Sequence, residues 1–240
     1  MEPTLPATHV PVSRDTDRSQ AAILRAARDE FTEHGFAGGR VDRIAERAGV
    51  NKRLIYYYFG NKSALFLSVL EGAYADIRAA EQGLRLDLLD PVEALRRLVT
   101  FTWHYFLEHP EFLSLLGSEN LLRASHLKKS AKIREMHSPL VQMLDTLLER
   151  GRAQGIFRAG IDPVQLYISI ASLGFFYLAN NYTLSVIFGR DLRAPEALDE
   201  RLAHMTELVI GYASSQPDAG GAPRRLPPEA APRKARARKA

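Results

Sequence analysis

Four consecutive rings, Tyr56, Tyr57, Tyr58 and Phe59, end the eight-residue run "KRLIYYYF", which is bracketed by Gly49 and Gly60. Asn51 is a natural N-cap for that run, so it reads as a short helix. A helix of a soluble protein buries one stripe of its circumference, and four adjacent rings cannot all point inward from it. Ile55 and Phe59 share the face toward a core; Lys52, Arg53, Tyr56 and Tyr57 fall elsewhere. So short a helix also needs packing from a neighbour. "VDRIAERAGV" supplies it, with Val41, Ile44, Ala45 and Ala48 on one face and Gly49 free to take the positive φ of a tight turn. Two short helices across such a turn form a helix-turn-helix, whose second helix can enter the major groove of DNA.

Charge along the chain agrees. The 240 residues carry a formal net charge of +4, unevenly divided. Residues 18–62 hold nine Lys/Arg against five acids, and the tail from 216 holds seven against two, while 63–215 is mildly acidic at −3. A basic segment beside an acidic body suggests a polyanion-binding part joined to a part with another task. There is no cysteine, which excludes disulfides, thiolate nucleophiles and zinc–cysteine sites. The longest apolar stretch, 168–179, is far short of the roughly 20 residues a membrane span requires, and the N-terminus lacks a signal-peptide core. A soluble cytoplasmic protein is expected.

Outside that motif the chain reads as helices throughout, with no competing strand pattern, so the fold class is all-α. Residues 1–17, proline-bearing and without a period, read as a disordered arm. A first helix from 19 stops at Gly35; Asn61 caps a long fourth helix to about 82; Pro91 opens a helix to about 109. Others are expected at 111–124 and from about 127 to 151, with a break at Pro139, then at 163–182 and 195–213. The domains are thus an arm (1–17), a three-helix DNA-binding domain (18–64), a helical ligand-binding and dimerisation domain (65–214), and a disordered basic tail (215–240).

The run "GFAGGRVDRIAERAGVNKRLIYYYFGNKSALF" resembles the DNA-binding domain of the tetracycline-repressor (TetR) family. Gly35, Phe36, Val41, Ile44, Ala45, Ala48, Gly49, Val50, Tyr56, Tyr58, Phe59, Lys62 and Leu65 fall in register with the family pattern. The resemblance implies a homodimer that reads a palindromic double-stranded operator and responds to a small-molecule effector, most often as a repressor. Carried onto this chain, Arg40, Lys52, Arg53, Leu54, Tyr56, Tyr57, Tyr58 and Lys62 are the candidate DNA contacts: Lys52 and Arg53 for base edges, Tyr56, Tyr58 and Lys62 for phosphates. Gly39 stands where the family usually places a capping threonine, so that cap is expected to be lost or moved.

In the second domain, 163–182 is apolar nearly all round and 195–213 carries a 4-3-4-3 seam. Tyr167, Gly174, Phe176, Leu198, Leu202, Met205 and Val209 are therefore the candidate dimer interface, as an isologous four-helix contact. Trp103, His104, Phe106, Glu119, Asn120, Arg123 and Phe176 mix rings with a few polar groups, as a ligand pocket does. His104, Glu108 and His109 lack a third metal ligand at fixed spacing, and there is no Gly-rich phosphate loop or "GxSxG", so neither a metal, a cofactor nor an enzyme is expected. The rival reading is a non-specific tether to nucleic acid or anionic membrane through the basic tail.

Overall fold

In a computed structural model, residues 12–214 are described; residues 1–11 and the basic tail at 215–240 lie outside them. All regular structure among the described residues is helical: α1 (Val12–Gly38), α2 (Val41–Ala48), α3 (Lys52–Phe59), α4 (Lys62–Gln82), α5 (Pro91–Glu108), α6 (Pro110–Leu121), α7 (Ala131–Ala153), α8 (Pro163–Ala179), α9 (Asn181–Phe188) and α10 (Pro195–Ser214). None is long and apolar enough to cross a membrane.

The stop signals act where the sequence places them. Gly35 breaks α1 with φ 62° and ψ −179°. Gly49 takes φ 65° between α2 and α3, where Val50 N–H donates to the Ala45 carbonyl. Asn51 accepts from Arg53 N–H and Asn61 from Ala64 N–H, capping α3 and α4.

Three expectations are corrected. The arm read at 1–17 is already helical from Val12. Pro139 does not break α7: it faces solvent, and Leu140, Leu144 and Leu147 hold the helix on the core across the missing hydrogen bond. The segment 163–182 is two elements, since α8 ends at Asn180 and α9 follows; α9 shows Tyr182, Val186, Ile187 and Phe188 to solvent and so has no amphipathic period to read.

Two cores are built. One gathers Ile23, Phe31, Ile44, Ile55, Phe66, Leu70 and Ile77 of α1–α4 with Tyr105, Phe106, Phe112 and Leu115 of α5 and α6. The other joins Leu95, Leu98, Val99 and Trp103 of α5 to Leu144, Leu147, Ile170, Met205 and Val209 of α7, α8 and α10. The boundary read at 64/65 falls within α4, which roots the basic head in the body.

Candidate nucleic-acid interface and ligand cavities

Ile55 is the root of α3, at 2% exposure, while Lys52, Arg53, Tyr56 and Tyr57 face solvent. Tyr57, 80% exposed, stands edge-on to Tyr58 at 5.3 Å. Tyr58, Phe59 and Leu54 are half-buried, Tyr58 and Phe59 packing against the first core. The four rings thus divide between root and surface.

The cations at this surface differ. Arg53 has a free side chain, its backbone N–H being held by Asn51. Lys52 Nζ lies 2.6 Å from Asp42 Oδ1, and that hydrogen bond raises the lysine and lowers the aspartate. Lys62 stands 4.8 Å over the Phe36 ring, its ammonium donating to the Ala37 carbonyl, and burial lowers its pKa. Arg40 is exposed beside α2.

The missing threonine cap has a substitute. Arg40, the N-cap of α2, makes no side-chain cap bond; its backbone N–H donates to Glu30 Oε1 at 2.8 Å. The same oxygen accepts from Arg43 Nε at 2.7 Å. Burial pushes the Glu30 carboxyl up, but these two donors outweigh it and hold it below its usual range. A Cβ at Gly39 would come within 2.7 Å of the Phe31 ring, so the family's usual side chain has no room here. Glu30, Glu33 and His34 are the one group among the described residues with metal-like spacing, and Glu30 is already engaged.

The expected pocket residues do not converge. Trp103 is a core residue, Phe106 spans the first core and a neighbouring cleft, and His104, Asn120 and Arg123 face solvent. Glu119 is buried, holding the turn after α6 through His126. Phe176 is 59% exposed on the outer face of α8. Helix geometry explains the scatter: neighbouring residues of α5 and α6 are turned by about 100° around the axis, so residues close in sequence face different surroundings. Cavities occur elsewhere, two of them among the helices of the body. A cleft of about 650 Å³ lies between α5, α6, α8 and α9, lined by Phe106, Leu113, Phe175, Leu178, Asn181 and Arg193. A small crevice lies beside Arg78 and Glu81 under α7. Neither charged residue was singled out from the sequence, although Glu81 continues the Phe66, Leu70, Ala73, Ile77 stripe that α4 buries.

Most of the residues expected at a dimer interface are taken up within the chain itself. Met205 and Val209 point into the chain's own core, Gly174 lies against Phe106 and Met205, and Leu198 and Leu202 are half-buried against the second core. Tyr167 turns inward, its hydroxyl accepting from Arg78. A seam records which residues share a face, not which neighbour covers it. The outward face carries Val164, Ile168 and Phe176 of α8 with Leu208 and Tyr212 of α10, around a groove of about 470 Å³.

Comparison with known proteins agrees with this arrangement. Residues 23–69 match the family described as bacterial regulatory proteins, tetR family, and residues 91–209 match the tetracyclin repressor-like C-terminal domain. The chain is 43% identical over 198 residues to the HTH-type transcriptional repressor NicS of Pseudomonas putida, covering 82% of this chain and 93% of that protein. It is 38% identical over 140 residues to the HTH-type transcriptional repressor SCO4008 of Streptomyces coelicolor, covering 58% and 69%. Its fold is similar to that of a bacterial regulatory protein in the tetR family from Rhodococcus RHA1, with a TM-score of 0.63 at 18% identity, covering 82% of this chain and 97% of that one. A capped helix-turn-helix on a helical body, matched along both halves, places the chain in the TetR family of DNA-binding transcription regulators.

Proposed function

We propose that the protein is a homodimeric cytoplasmic repressor, released from a two-fold-symmetric operator when a small molecule binds its C-terminal half. The observation that carries the DNA part is the division of α3: Ile55 fixes the helix while Arg53, Tyr56 and Tyr57 stand clear of the protein. Arg53 reads base edges; Tyr56, Tyr57, Arg40 and Lys62 meet the backbone, Lys62 by leaving the Ala37 carbonyl. Lys52 joins them when a phosphate or base replaces Asp42.

Dimerisation is supported by where apolar surface is left over. Of the thirteen large hydrophobics exposed among the described residues, nine lie on α8, α9 and α10. A second copy seated on the outer face of α8 and α10 would cover that surface and set two α3 helices on one side of a duplex.

The test is a gel shift with the protein's own upstream intergenic DNA. A specific, saturable complex lost in Arg53→Ala and kept after deletion of 216–240 supports the reading. Binding that survives Arg53→Ala but disappears with the tail supports the tether instead.

A further inference from the structure

Arg78 and Glu81 are charged side chains in an apolar place, 5% and 2% exposed. Both stand on α4 where α7 and α8 close over it. Arg78 Nη2 donates to the Tyr167 hydroxyl at 2.6 Å, and the guanidinium lies 5.2 Å from the centroid of that ring. Nη1 is 2.9 Å from Glu81 Oε2, but the contact is poorly aligned. Arg78 Nε and Nη1 and both Glu81 oxygens are left without a hydrogen bond. Proteins rarely leave buried charged donors and acceptors so, because an ion pair without aligned hydrogen bonds repays only part of the lost hydration. Beside the pair is a narrow crevice of about 20 Å³, walled by Met136, Leu140 and Met143 of α7, with the exposed Gln82 and Pro139 at its rim. It has room for one water molecule.

We propose that this crevice is the contracted form of an effector site for a small organic monocarboxylate, which pairs with Arg78 and lays its apolar body along Met136, Leu140 and Met143. The guanidinium is a planar fork of donors that matches a carboxylate; its Nε has no hydrogen bond and its Nη1 has only the ion pair with Glu81. The opposing wall can yield. Methionines are unbranched and adapt to irregular ligands, and Pro139 leaves α7 without one backbone hydrogen bond at this level. The larger cleft by α9 offers volume, but its arginine, Arg193, is exposed and already donates to Tyr182.

The charges around the pair favour an anion. Burial pushes the Glu81 carboxyl up to about 7, against the pull of Arg78 and of the Tyr167 hydroxyl, so Glu81 is a poor counter-ion. The other titratable groups here are Tyr74 on α4, Tyr105 on α5, Glu119 on α6, His137 on α7 and Tyr167 on α8. Burial raises the three tyrosines, Tyr105 and Tyr167 to about 12, and lowers His137, so all four stay neutral near pH 7. Glu119 is committed to His126. An incoming carboxylate therefore replaces Glu81 beside Arg78, and Glu81 takes up a proton from solvent. The consequence for DNA rests on the repressor reading; the binding itself does not.

The test uses the full chain without DNA, with butyrate, benzoate and phenylacetate against butyramide, benzamide and phenylacetamide as uncharged counterparts. At least one carboxylate at millimolar concentration should raise Tm by several degrees while its amide does not. Calorimetry at pH 7.5 in buffers of different ionisation heat should show a fractional proton taken up. Arg78→Lys, which keeps the charge and loses the fork, should weaken binding tenfold or more, and Tyr167→Phe severalfold. If Arg78→Lys does not fold, Tyr167→Phe carries the comparison. No shift from any of the three carboxylates overturns the proposal, as does equal binding of acid and amide, or binding that neither variant alters. Gel shifts run in parallel separate the two readings: carboxylate binding without DNA binding sinks the repressor and leaves this site, and the converse sinks only the site.

Discussion

His126 Nδ1 donates to Glu119 Oε2 at 2.7 Å, and the imidazole so held lies against Phe36 at 4.5 Å and Phe66 at 5.0 Å. Glu119 Oε1 also accepts from the backbone N–H groups of His126 and Leu127, at 2.7 and 3.0 Å. These bonds fix a turn in which Arg123 and Ala124 take left-handed φ values of 55° and 58°, unusual for residues with a Cβ. Nearby, Phe36 N–H donates to Ser118 Oγ of α6 at 3.1 Å. The basic head is thereby joined to the body by a second route besides α4.

Removing that carboxylate strands three donors in the interior. Glu119→Ala should lower stability by about 2–4 kcal/mol, from lost charge-assisted bonds and buried unpaired N–H groups. Glu119→Gln keeps one acceptor oxygen for the backbone donors and should cost less. Urea unfolding of both variants checks this; equal losses would mean the turn is held by packing alone.

Gly39 gives a prediction that runs against family habit. Threonine is the usual residue there, yet Gly39→Thr should destabilise by about 1–3 kcal/mol, because Phe31 fills the space and Glu30 already caps α2. A thermal midpoint at or above wild type would show that Phe31 can move aside.

What the sequence disclosed follows the range of each interaction. Gly35, Gly49, Asn51 and Asn61 act within a few residues, so their turns and caps were legible. Glu30 was not, since its role depends on α1 and α2 crossing. The Met205 and Val209 seam was legible as a seam, but its partner turned out to be the chain's own α5 and α8. Arg78 and Glu81, three apart on a helix, look like a surface pair; only α7 and α8 bury them. The one local sign was a glutamate on the apolar stripe of α4.

Assembly should depend on the outward residues. Phe176→Asp and Ile168→Asp place charge on the exposed faces of α8 and should yield folded monomers by sedimentation. Val209→Asp, buried at 3%, should instead misfold. A wild-type chain that sediments as a monomer at micromolar concentration would remove the dimer face.

Glu81 sets a pH dependence of stability. Its carboxyl titrates near 7 in the folded protein and near 4.5 when solvated, with burial the main cause. The folded state therefore holds this proton more tightly, and the associated stability is full below about 4.5 and lost as pH rises through 7. The shift corresponds to about 3 kcal/mol. Glu81→Gln cannot titrate, so wild-type stability should decline relative to the variant between pH 5 and 8, whatever the offset between them. Parallel curves would show that Arg78 keeps Glu81 ionised throughout.

At the DNA, Arg53 and Lys62 should fail differently. Arg53 extends freely from the first turn of α3, where the proposed docking brings side chains to base edges, whereas Lys62 sits at the start of α4 over Phe36, where that docking would bring it to the backbone. Losing a base contact costs about 1–3 kcal/mol and relaxes preference at one position per half-site. Losing a phosphate contact weakens all sequences alike and reduces the salt slope by about one unit per subunit. Lys62 must first leave the Ala37 carbonyl, so its share of affinity should be smaller than that of Arg53. Binding of Arg53→Ala and Lys62→Ala, measured across operator variants and salt, resolves the two roles. If Arg53→Ala lowers every sequence equally while Lys62→Ala alters preference, the roles are reversed. If neither changes binding, α3 does not enter the groove.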